Sequence, residues 1–182
     1  GDGALVYGGT PADASVIEAI LGLRQSGQDV MFYPFILMDQ TAGNALTDPH
    51  SGAEGQPALP WRGRITLSAA PGRAGSPDGT AAAEAEVAAF FGTAQASDFT
   101  ILPIAAEQPQ PGGAADLLSY GGPVKLSPVF YTGPGEWGYR RFVLHNAALC
   151  AAAGGVESFC IGSEMRGLTQ IRGPGNSFPA VA

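Results

Sequence analysis

The first forty residues carry the pattern that most constrains the fold, an apolar strand, a helix and a second apolar strand in close succession. The strands are predicted at Ala4 to Tyr7 and at Val30 to Met38. Thr10 is the predicted cap of the helix between them, and Gly27 is its predicted end. Because a strand–helix–strand unit places its two strands in parallel, the pattern predicts an α/β fold with a parallel sheet.

Two further helices and one strand continue this order. The helices are predicted at Ala81 to Phe91 and at Trp137 to Ala153, and the strand at Val156 to Ile161. Long irregular connections separate these elements, in keeping with the 27 Gly and 15 Pro of the chain. The second connection is predicted to contain a small hairpin. The predicted buried residues of the first and last helices are Val16, Ile17, Ile20, Leu21, Leu23, Phe142, Leu144 and Leu149.

Composition excludes several classes of function. The formal charge is −7, and the 9 Lys and Arg residues form no cluster, which argues against nucleic acid as a partner. No apolar run of about 18 residues is present, so no membrane span is predicted. The two histidines lack metal-ligand spacing, so neither a metal nor another cofactor is predicted. Cys150 and Cys160 are interpreted as small buried hydrophobic residues or as a disulfide pair.

Two carboxyl groups follow predicted strands, where (β/α) barrels place their reacting groups. Asp39 follows Met38, and Glu164 follows the strand that ends at Ile161. The Gly-Ser-Glu sequence at Glu164 resembles the Asn-Glu ending of the fourth strand in the clan of retaining (β/α)₈ glycosidases, with Ser163 in place of Asn. In that clan the glutamate is the acid/base. The resemblance predicts Glu164 as the catalytic acid; alternatively, Glu164 pairs with Arg166 or caps the following turn.

A second group of residues is predicted to bind substrate. Trp61 and Arg62 are interpreted as a sugar platform with a charged neighbour, or else as a loop packed onto the domain by one large hydrophobic side chain. Arg141 and His145 share a helix face at four-residue spacing, as ligands or as ordinary solvated positions. The predicted substrate-binding residues are Asp39, Trp61, Arg62, His145, Ser163 and Arg166.

Several longer segments resemble one family. They are Tyr7–Ser15, Phe32–Asp39, Pro60–Ile65, Tyr139–His145 and Ile161–Gly173. They resemble the TIM-barrel-like domain of gene transfer agent and phage tail proteins, which are large multidomain baseplate proteins of the host-specificity type. The resemblance implies a partial (β/α)₈ TIM barrel of glycoside-hydrolase-like fold with long loop insertions. Residues 1–182 would be a fragment with about strands 2 to 4 and their helices, and 101–130 an inserted segment.

The same resemblance implies a function at the tail tip of a virion or gene transfer agent particle. There the domain would act on, or bind, a polysaccharide or peptidoglycan glycan of the host cell envelope, beside other tail and baseplate proteins. In a retaining glycosidase, Glu164 would be the acid/base, and the nucleophile would lie beyond residue 182. The alternative is an inactive barrel that serves as a baseplate building block or a glycan-binding module.

Overall fold

The computed structural model describes residues 10–102 and 128–181, which fall into two units. The predicted strand at Ala4 to Tyr7 and most of the predicted insertion 101–130 lie outside the described residues. The first unit comprises Gly1–Phe32, Gln95–Gly133 and Leu144–Phe159, and the second comprises Tyr33–Ala94, Pro134–Val143 and Cys160–Ala182.

Helix α1 (Asp13–Gln25) belongs to the first unit, and Gly27 follows it at φ 77°, as predicted. The predicted cap at Thr10 is wrong, because the chain is still extended at Ala12 and no side chain caps the helix. The Asp13 carboxylate, at the first residue of the helix, lies 2.9 Å from the His145 ring.

The buried side of α1 is narrower than predicted. Ile17 and Ile20 are buried, and Val16 and Leu21 pack partly against the same cluster. Leu23 is exposed, contrary to the prediction. Leu23 lies only two residues from the end of α1 at Gln25.

A parallel strand pair confirms the predicted direction of the sheet but not the predicted strand lengths. Strand β1 (Met31–Phe32) pairs with β4 (Ser158–Phe159), with Met31 opposite Ser158. The predictions Val30 to Met38 and Val156 to Ile161 are therefore wrong outside these short segments. Pro34 has no backbone N–H to donate to a ladder, and the Val30 N–H donates to the Glu157 carboxylate at 2.7 Å rather than to a carbonyl.

An antiparallel pair confirms the small hairpin-like pairing expected in the second connection. Strand β2 (Phe99–Ile101) lies beside β3 (Val129–Tyr131), and the Phe99 and Tyr131 rings are 4.9 Å apart. Helix α3 (Tyr139–Ala152) lies within the predicted range. Leu149 is buried as predicted, whereas Phe142 and Leu144 are only half-buried. The buried cluster of the first unit is Ile17, Ile20, Val30, Val129, Ala148, Leu149, Cys150 and Ala153.

The second unit packs around helix α2 (Ala81–Phe91), whose bounds are as predicted. The Thr80 hydroxyl caps its start by accepting a hydrogen bond from the Ala82 N–H, and Gly92 ends it at φ 73°. The second unit also contains 3₁₀ turns at Arg62–Arg64 and Pro174–Asn176 and the short helix α4 (Arg166–Thr169). Its buried cluster is Leu67, Ala83, Val87, Leu168 and Ile171.

Both cysteines are free thiols. Cys150 is buried in α3, and burial raises its pKa to about 11. Cys160 is half-buried, so the interpretation as a buried hydrophobic residue holds for Cys150 alone. Within the described residues, no helix is long and apolar enough to cross a membrane.

An ion pair in the second unit gives a stability prediction. The buried Asp78 carboxylate accepts hydrogen bonds from the Arg172 backbone N–H at 2.7 Å and from Arg172 Nε at 2.9 Å. Hydrogen bonds from the Arg172 side chain, more than any other cause, hold the pKa of Asp78 below its ordinary value. A carboxylate with a lowered folded-state pKa stabilises the fold above its unfolded-state pKa of about 3.9, and this stabilisation is lost as the pH falls.

We therefore expect Asp78→Asn to be less stable than the parent at pH 7, with a difference that shrinks as the pH falls below about 4. Urea unfolding at pH 7, 5 and 3, followed by tryptophan fluorescence, measures this, because both tryptophans belong to the second unit. Asp39→Asn is the matched control, since Asp39 is exposed. If the free energy of unfolding differs between the parent and Asp78→Asn by the same amount at all three pH values, the ionised Asp78 carboxylate is not the source of the stability.

Candidate functional site

Glu164 lies in the loop before α4, and its backbone has an unusual conformation. Its φ is 55°, in the left-handed region that a non-glycine residue adopts at a cost. Its carboxylate Oε2 accepts a hydrogen bond from Trp61 Nε1 at 3.2 Å and forms an ion pair with Arg62 Nη2 at 2.6 Å. Glu164 thus pairs with Arg62 and not with Arg166, and its side chain remains 53% exposed.

Arg62 connects the polar groups of this site. Its Nε donates to the Ser163 carbonyl at 3.2 Å, and its Nη2 lies 3.3 Å from Ser163 Oγ and 3.4 Å from Tyr33 Oη. The guanidinium also lies over the Phe35 ring, 4.8 Å from its centroid. The Arg62 side chain is only 17% exposed, so contacts within the protein already use most of its charged group.

Trp61 presents an open aromatic surface next to the carboxylate. A Cβ on residue 63 would lie 2.4–2.6 Å from three carbons of the Trp61 six-membered ring, so one face of the indole rests on the glycine backbone. The side chain is nevertheless half exposed, at 52%. Glycine at position 63 is therefore needed for the indole to lie flat beside Glu164.

Close backbone packing fixes the loop that carries Glu164. Tyr139 Oη donates to the Ile161 carbonyl at 2.5 Å, and burial raises the pKa of this phenol, so it stays a neutral donor. A Cβ on Gly162 would lie 2.7 Å from Tyr139 Oη. A Cβ on Gly167 would lie 2.5 Å from the Ile65 carbonyl oxygen, which shows how closely α4 approaches the Arg62–Arg64 turn.

The structure brings together four of the predicted residues, Trp61, Arg62, Ser163 and Glu164, and leaves the others outside this cluster. Asp39 and Arg166 are exposed, and neither side chain makes a hydrogen bond or ion pair with any described residue. His145 belongs to the first unit, where its Nε2 lies 2.9 Å from Asp13 Oδ1. Ligand binding by Asp39, Arg166 and His145 stays a prediction.

Sequence reasoning missed three residues of the site. Tyr33 and Phe35 contact Arg62, and Tyr139 supports the loop before Glu164. The spacing of Tyr33 and Phe35 is a usable sequence signal, because residues two apart in an extended segment point to the same side. No sequence signal pairs Tyr139 with Ile161, since this contact depends on tertiary packing.

The arrangement is suited to surface recognition of a polar ring. A carboxylate accepts hydroxyl hydrogens, and an open indole face binds C–H surfaces. Among residues 10–102 and 128–181, no group of three or more His, Cys, Asp or Glu side chains is arranged to hold a metal ion. A nearby cavity of about 30 Å³, lined in part by Asp48 and His50, has room for about one water molecule and not for a sugar.

Parallel strands connected through helices place the described chain in the α/β class, as a partial fold. Residues 137–182 match the family model described as the GTA TIM-barrel-like domain. The match includes α3, β4 and the loop with Glu164, so this part of the chain is similar to that domain of gene transfer agents. A search of curated proteins finds no match.

Proposed function

We propose that this chain binds a glycan of the host cell envelope through Trp61 and Glu164. One observation carries the proposal: a half-exposed indole rests on Gly63 with its Nε1 donating to the Glu164 carboxylate at 3.2 Å. Sugar rings have apolar C–H faces and hydroxyl edges, so an aromatic face beside a hydrogen-bond acceptor complements both.

The proposed setting is the tail tip of a gene transfer agent or phage-like particle. The family match at residues 137–182 supports a gene transfer agent domain, and the longer sequence resemblance points to a baseplate protein of the host-specificity type. In that setting the ligand would be an envelope polysaccharide or a peptidoglycan glycan. Neighbouring tail and baseplate proteins would be its other partners.

Retaining hydrolysis of the bound glycan is the second candidate, favoured by the left-handed backbone at Glu164. Strained conformations of this kind concentrate at functional sites. Hydrolysis requires a second carboxylate about 5–5.5 Å from Glu164, which we propose to lie on a barrel strand beyond residue 182. It also requires Glu164 to carry a proton, whereas both described contacts use its carboxylate as an acceptor.

The experiment that tests binding compares the two exposed tryptophans. Trp61→Ala should weaken binding of the chain to purified peptidoglycan or envelope polysaccharide by about 30-fold or more, as for a central aromatic contact. Trp137→Ala is the matched control, because Trp137 is 60% exposed but lies under the Arg141 guanidinium at 3.7 Å. Equal losses in both variants, or no binding by the parent, would favour a structural baseplate role.

A further inference from the structure

We propose that the Trp61–Glu164 site selects neutral sugar rings and excludes anionic ones such as uronic acids. The inference rests on the proposed glycan binding and concerns the class of sugar. The first support for the inference is that Arg62, the cation of the site, is already paired within the protein. Arg62 Nη2 lies 2.6 Å from Glu164 Oε2, and Arg62 Nε donates to the Ser163 carbonyl, so few of its N–H groups are left for a ligand carboxylate.

The second support is the exposed charge of the site. Both described contacts of Glu164 use Oε2, and Oε1 has no hydrogen-bond partner among the described residues. The Glu164 side chain is 53% exposed, whereas that of Arg62 is 17% exposed, so a ligand meets the negative member of the pair. A free carboxylate oxygen accepts from sugar hydroxyls but repels a uronate, and the formal charge of −7 acts in the same direction at longer range.

The third support is the pair of neutral hydroxyl groups beside Arg62. Ser163 Oγ and Tyr33 Oη lie within hydrogen-bonding distance of Arg62 Nη2 as acceptors, which leaves each O–H free to donate. The site therefore offers donors and an acceptor to hydroxyl or acetamido groups. A neutral hexose or an N-acetylhexosamine satisfies these groups, with its C–H face on Trp61.

Two arginines follow Glu164 in the sequence and bear on the charge preference of the site. Arg172 is held by the buried Asp78 carboxylate. Arg166 is exposed, its side chain has no described partner, and it lies two residues after Glu164 in sequence. An exposed cation attracts anionic ligands, so Arg166 acts against the proposed selection, most strongly at low salt. Arg166→Ala measures the size of this effect.

The experiment uses matched polysaccharides that differ only at the carboxyl group of the uronates. Envelope polysaccharide and homogalacturonan are each tested in the native uronate form and after carbodiimide–borohydride reduction, which converts uronates to neutral hexoses without changing the linkages. Binding to the 182-residue chain is measured by tryptophan fluorescence at low and high salt. We expect the reduced forms to bind at least about tenfold more tightly, with a smaller difference at high salt and in Glu164→Gln.

Equal or tighter binding of the native uronates would overturn the inference while leaving glycan binding intact. Loss of that binding in Arg166→Ala would then identify the cation that selects anionic sugars. If neither form of either polysaccharide binds, and purified peptidoglycan does not bind either, the proposed function fails and the inference fails with it. A preference for the reduced forms that persists unchanged in Glu164→Gln would also contradict the role given to Oε1.

Discussion

Under the hydrolysis proposed as the second candidate function, Glu164→Gln is expected to lower the rate by about 10²–10⁴-fold, the usual contribution of a general acid–base group. The amide keeps the size of the side chain and an oxygen that accepts from Trp61 Nε1, but it cannot deliver a proton to the leaving oxygen. Binding of a neutral glycan should therefore change by no more than a few-fold. A variant that binds but does not turn over separates the chemical role of Glu164 from its role in the ion pair with Arg62.

The measurement is the release of reducing ends from peptidoglycan and envelope polysaccharide. It is made with the 182-residue chain and with a polypeptide extended past residue 182, where the second carboxylate is proposed to lie. Asp39→Asn is the control carboxylate, since Asp39 is exposed and makes no contact with the described Glu164 cluster. An equal loss in both variants would exclude a special role for Glu164. If no parent protein releases reducing ends, hydrolysis is wrong and binding remains.

Local sequence signals predicted the helices well because each helix is specified by residues within it or next to it. Helix α2 has its N-cap at Thr80, an alanine-rich interior and Gly92 at positive φ, all readable from adjacent positions. Strand lengths were predicted poorly because a strand requires a partner elsewhere in the chain. The apolar run from Val30 to Met38 indicates burial, yet pairing with Ser158–Phe159 extends only to Phe32.

The wrongly predicted end of the strand also explains why Glu164 lies in the site cluster and Asp39 does not. Asp39 was selected because it follows a predicted strand end, but the paired strand ends at Phe32, so the rule does not apply to it. Glu164 lies five residues after β4 and contacts Trp61, 103 positions away in the chain. The strand-end rule predicts Glu164, and the aromatic and basic segment around Trp61 predicts that residue separately. Neither could show that Gly63 supports the indole, because that role depends on a close approach between distant atoms.

Gly167→Ala is expected to destabilise the second unit by about 1–3 kcal/mol or more, through overpacking against backbone. Its Cβ would lie 2.5 Å from the Ile65 carbonyl oxygen and 2.7 Å from that of Gly63. Carbonyl oxygens cannot rotate away as a side chain does, so α4 must move off the Arg62–Arg64 turn. This movement would loosen the buried Leu168 and separate Glu164 from Arg62.

Two measurements check this result together. Urea unfolding followed by tryptophan fluorescence gives the free energy of unfolding of the second unit, which contains Trp61 and Trp137. Binding of neutral glycan should fall in the same variant under conditions where it remains folded, because the carboxylate no longer lies beside the indole. Gly135→Ala is the matched control in this unit, since a Cβ there meets no atom within 4 Å. If Gly167→Ala is as stable as Gly135→Ala and binds as tightly as the parent, the close approach of α4 to the turn does not hold the site together.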